Sequence, residues 1–234
     1  MAEQNKDSTA TITQPLVAIL GFAAFALGVG GQLCVPSPTH NVAQYTGRLT
    51  FLTVQTNWIG TFYFLGVILA TIFEVKSLNT VLRRLFPLVF SLGAFLTIAY
   101  YALDHFNPKS AKLRQGWFDD GYLYVHWSAH VEHALALPAV LLYAKNFNFV
   151  PSRSDVPPFV GGYATLYLGF THVLHHKTGG WVYPIFTDIQ NSAGNPGLLV
   201  FQMALVSVFV ALGYLGCWLT NPTSAEGSKG SKES

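Results

Sequence analysis

The chain has 234 residues, of which 51% are hydrophobic and only 10% charged, with a formal net charge of +2. That balance is too apolar and too thinly charged for an ordinary water-soluble domain, and no nucleic-acid partner is expected from it. The few charges sit in short stretches between long apolar runs, which is the layout of a membrane protein and not of a soluble core.

Residues 1–14, MAEQNKDSTATITQ, are a polar N-terminal segment lacking the basic n-region and cleavage site of a secretory signal. The first apolar run is therefore expected to stay as a membrane anchor. A helical crossing needs about 20 apolar residues, because hydrocarbon offers no water to backbone N–H and C=O groups. About six stretches qualify by that length. They run from Pro15 to Leu33, Leu49 to Phe73, Leu85 to Leu103, Tyr122 to Ala144, Phe159 to His176 and Leu198 to Leu219. The expected fold is all-α, a polytopic membrane helix bundle: one transmembrane domain over residues 15–219, with a small, polar and disordered tail over 220–234. An even number of crossings puts both termini on one side. Lys6, Lys76, Arg83, Arg84, Lys145, Arg153, Lys229 and Lys232 fall on that side, against Arg48, Lys109, Lys112, Arg114 and Lys177 opposite, which makes the termini cytosolic. The endoplasmic reticulum and the plasma membrane both fit. Cys34 and Cys217 fall at opposite membrane faces, too far apart for a disulfide.

Polar side chains at membrane depth are costly unless they find partners inside the bundle, so they are the candidates for function. In the second span Thr50, Thr53, Asn57 and Thr61 recur at helical spacing and are expected to share one stripe, where such residues also serve as glue between helices. The fourth span carries His126, His130 and His133 on one face. Glu132, the only carboxylate in any expected span, points about 100° away from His133 and is free to meet another helix. The fifth span ends in THVLHHKTGGWVYP, with His172 and His176 on one face and His175 slightly rotated from them. Aromatic residues flank these spans at headgroup depth: Trp117, Phe118, Tyr122 and Tyr124 before the fourth, Trp181 and Tyr183 after the fifth, most of them read as interfacial anchors.

Two chemistries fit this inventory. A hydroxyl and an imidazole suffice for nucleophilic hydrolysis of an ester, with neighbouring polar groups holding the oxyanion and water entering from a nearby membrane surface. Alternatively, HxxxH at His126–His130 and HxxHH at His172–His176 resemble the histidine boxes of di-iron fatty-acid desaturases and hydroxylases. That pattern needs a third box, whereas His40 and His105 stand alone in separate loops, so no metal or other cofactor is expected. A channel or transporter would call for more buried carboxylates or inverted repeats than Glu132 and these helices provide.

Three segments carry a resemblance to a known family. HHKTGGWVYP at His175–Pro184, HVEHALALP at His130–Pro138 and Phe51-Leu52-Thr53 follow one another as in the androgen-induced gene and androgen-dependent TFPI-regulating proteins, which the chain resembles from its second span onward. The resemblance implies a multipass hydrolase of fatty acid esters of hydroxy fatty acids, with a lipid substrate drawn from the bilayer and protein partners unknown. It also implies a threonine nucleophile at Thr53 and a histidine base at His133. Thr50, Asn57, His126, His130, Glu132, His172, His175 and His176 are then substrate, oxyanion or supporting residues. Spacing by itself leaves Thr50 open as the nucleophile. It also sets Thr53 about 10 Å above His133 at 1.5 Å per residue, which would favour His130 or His126 as the base.

Overall fold

The computed structural model describes residues 6–36, 41–146 and 151–220, and all regular structure among them is helical. His40 and the tail beyond residue 220 lie outside the described residues. The helices are α1 (Lys6–Gly31), α2 (Leu52–Ile72), α3 (Lys76–Ala99), α4 (Pro108–Asp119), α5 (Val125–Ala134), α6 (Ala136–Asn146), α7 (Gly162–Thr178) and α8 (Pro184–Leu219). Two π-helical turns extend this set, Tyr100–His105 after α3 and Val156–Gly161 before α7.

Among the described residues four stretches are long and apolar enough to cross a bilayer: Gln14–Cys34, Leu52–Ile72, Lys76–His105 and Pro184–Leu219. The chain is a multipass membrane protein. The other two expected crossings take a different form. The stretch expected from Tyr122 to Ala144 divides at Leu135 into α5 and α6. The stretch expected from Phe159 begins inside the π-helical turn Val156–Gly161 and continues without a break as the 17 residues of α7. The last helix is longer than expected, starting at Pro184 and kinking at Gly194 (φ 68°), just ahead of Pro196.

The core forms where α1, α2, α3 and α6 pack around Phe25, Phe64, Phe86, Phe90, Val140 and Tyr143, all buried. Small residues bring α1 and α2 together, since a Cβ on Gly60 would overlap the Phe25 ring and one on Gly21 the Phe64 ring. Gly28 lies against Asn57 in the same antiparallel register, which places Gly31, the end of α1, beside the first turn of α2. Outward faces are apolar, as on α8 with Leu199, Val200, Met203 and Trp218 exposed, and this is the surface lipid requires. Cys34 and Cys217 are free thiols.

Candidate active site

Thr53 is the second residue of α2, which starts abruptly after an extended residue, Phe51 (φ −91°, ψ 136°). Its Oγ1 lies 3.2 Å from His133 Nε2. On the far side of the ring, His133 Nδ1 lies 2.6 Å from the Ala129 carbonyl. A carbonyl only accepts, so Nδ1 carries a proton, and when the ring is neutral Nε2 presents its lone pair to the threonine hydroxyl. Tyr100 stacks on the imidazole with centroids 4.1 Å apart and planes 15° from parallel, which fixes the ring's tilt. Hydroxyl, imidazole and carbonyl thus stand in the order that activation of a hydroxyl requires.

The position of His133 follows from a broken helix. Pro138 has no N–H for the Ala134 carbonyl and crowds it sterically, so α5 stops at Ala134. Thr97 of α3 fills the gap: its hydroxyl donates to the His133 carbonyl (2.5 Å) and accepts the Leu137 N–H (3.3 Å). One side chain therefore replaces one rung of the helical ladder. Asn57 Nδ2 adds a bond to the Glu132 carbonyl at 3.1 Å, tying α2 to the same turn of α5.

The sequence profile of the FAR-17a/AIG1-like protein family matches residues 18–221, which takes in all of these elements. The chain belongs to this family, that of androgen-induced gene 1. No curated protein and no solved structure matches it. The resemblance read from the three sequence segments is thereby shown at the level of the family.

In this family member the expected depth offset between Thr53 and His133 disappears. Gly31 lies beside the first turn of α2, and the Ser128 carbonyl and the Glu132 side chain both pack on Gly31. The early turns of α5 therefore stand outward of α2, and residue 133 arrives level with residue 53. The polar stripe of the second span also divides. Thr50 is in a 3₁₀ turn ahead of Phe51, with its hydroxyl 2.8 Å from that of Thr46 and not hydrogen-bonded to a histidine among the described residues. Thr61 donates to the Asn57 carbonyl within its own helix.

The three α5 histidines meet three different neighbours. His126 is exposed beside Phe118, and His130 Nδ1 lies 2.9 Å from the Tyr101 hydroxyl. His105, expected to stand alone in a loop, comes within 5.0 Å of the His130 ring because the π-helical turn after α3 swings it inward. That turn is braced by an Arg114–Asp104 ion pair at 2.7 Å and by Arg114 donating to the His105 carbonyl.

The α7 histidines form a separate cluster. His172 Nε2 lies 3.0 Å from Gln202 Oε1, His175 stacks on Trp181 at 3.9 Å, and His176 is exposed. No contact joins them to Thr53 or His133 among the described residues, nor do any three His, Cys, Asp or Glu there converge to hold a metal ion. Trp181 and Tyr183, expected as interfacial anchors, instead turn inward: Trp181 is buried, and the Tyr183 hydroxyl accepts the Leu52 N–H at 2.9 Å. Thr97 and the inward tyrosines are the contributors that sequence reasoning missed. The one available signal for them was a tyrosine inside the family-like HHKTGGWVYP string.

Proposed function

We propose that the protein is a membrane-embedded lipid esterase that hydrolyses fatty acid esters of hydroxy fatty acids through Thr53 and His133. The observation that carries this reading is the 3.2 Å approach of Thr53 Oγ1 to a His133 Nε2 whose other nitrogen is committed to a carbonyl. As Oγ1 attacks the ester carbonyl, the hydroxyl proton passes to Nε2. The tetrahedral oxyanion forms at the first turn of α2, where the positive end of the helix dipole favours negative charge. His133 then returns the proton to the departing alkoxide, leaving an acyl group on Thr53. A water, deprotonated by the same nitrogen, releases the fatty acid and restores the threonine. No cofactor takes part.

The same reading gives the bundle six crossings, with α5 and α6 together forming the fourth and α7 the fifth. It puts both termini in the cytosol, in the endoplasmic reticulum or plasma membrane. Purified protein is expected to hydrolyse such lipid esters and to take up a fluorophosphonate covalently. A folded Thr53→Ala protein is expected to lose both properties, and undiminished labelling of that variant would overturn the assignment.

A further inference from the structure

We infer that Tyr167 and Tyr183 are positioning residues for Thr53, acting as a pair of phenols that close the backbone break from which α2 starts. The inference rests on Thr53 being the nucleophile, but the geometry behind it is independent of that role. A helix start leaves backbone N–H groups without partners, and a Ser, Thr, Asp or Asn at the N-cap ordinarily satisfies one. Here the N-cap is Phe51, which has no side-chain acceptor.

The missing cap comes from a distant part of the chain. Leu52 N–H donates to the Tyr183 hydroxyl at 2.9 Å, the Tyr183 and Tyr167 hydroxyls are 2.8 Å apart, and Tyr167 Oη lies 3.0 Å from the Thr50 carbonyl. The direction of every proton follows. Because the carbonyl only accepts, Tyr167 donates to it and must accept from Tyr183, whose own oxygen accepts the amide. One ordered chain therefore runs from the N–H of residue 52 to the C=O of residue 50, around Phe51. It holds the two sides of the break at a fixed angle, and residue 53 is the next residue along.

A second brace runs beside it. Tyr163, one turn before Tyr167 on α7, donates to Gln55 Oε1 at 2.7 Å, and Gln55 Nε2 donates to the Leu49 carbonyl at 2.7 Å. One face of α7 thus grips the start of α2 on both sides of the elbow. An elbow released by a fraction of an ångström misplaces the attacking oxygen, which lowers the chemical step more than substrate binding.

The test uses the full-length protein in detergent with Tyr167→Phe, Tyr183→Phe, the double variant and Tyr214→Phe, an exposed tyrosine of α8, as control. Each phenol variant is expected to lower kcat and the rate of fluorophosphonate labelling by about tenfold with KM little changed. Amide exchange over residues 50–54 is expected to accelerate in both. Since both phenols belong to one chain, the double variant is expected to be no worse than either single one. Unchanged exchange and labelling in the single variants would overturn the inference, as would effects that multiply in the double. Faster exchange with wild-type kcat would reduce the pair to a structural brace and overturn the positioning role. If Thr53→Ala retained full activity, the esterase reading would fall separately, and the exchange data would still decide whether the phenols hold the elbow.

Discussion

The α5 segment and the α7–α8 connection both carry closely spaced histidines followed by a proline, yet they contribute opposite things. In α5 the imidazole itself reaches the threonine, and Thr97 and Pro138 set its height by interrupting the helix. In α7 and the connection the histidines face Gln202 and Trp181, while two tyrosines reach across to the start of α2. Similar histidine spacing therefore brings an imidazole to a threonine hydroxyl in one place and supplies packing in the other. What separates them is the neighbour that each helix break or turn presents.

The sharpest way to break this contrast is to remove one imidazole from each region. His133→Ala is expected to lower lipid-ester hydrolysis by about 10²- to 10⁴-fold, the range for loss of a general base. If His175→Ala were equally inactive while still folded, the distinction between the two regions would be lost. An intermediate effect is expected from Thr97→Val, which leaves the His133 carbonyl and the Leu137 N–H unpaired. A buried unpaired group costs about 1–3 kcal/mol, measurable as lowered thermal stability. The same change should reduce kcat by about tenfold through a shifted imidazole, and a wild-type kcat would show that the ladder insertion does not set the base. The smallest effect belongs to His172→Ala and His175→Ala, expected to leave kcat within about twofold while Tm falls by about 2–4 °C. The loss of the Trp181 stack accounts for that shift, being worth about 0.5–1.5 kcal/mol.

Much of this was legible in the sequence, at the level where periodicity and cost decide. The long apolar runs at α1, α2, α3 and α8 announce themselves because lipid admits little else. The single carboxylate Glu132 and the histidines beside it marked α5 as a place to look. The fourth crossing read as one helix because composition alone does not reveal a proline break that a hydroxyl from another helix repairs. Thr97 was invisible for the same reason: it looks like any threonine in an apolar span until α5 is placed against it. Tyr183 was misread because an aromatic residue after a span has the same local signature whether it anchors in headgroups or turns inward. The depth mismatch between Thr53 and His133 arose from counting along expected spans, whereas the contact of α5 with Gly31 sets the true register.

The distance along the chain between Leu52 and its capping phenol, 131 residues, bears on how the protein is made. During synthesis the first two hairpins can enter the bilayer and bury their phenylalanine core while the amide at residue 52 and the carbonyl at residue 50 still lack these partners. Only when the α7–α8 hairpin arrives is the turn before Thr53 drawn into its final shape. The cap on residue 52 is thus among the last contacts that synthesis makes possible.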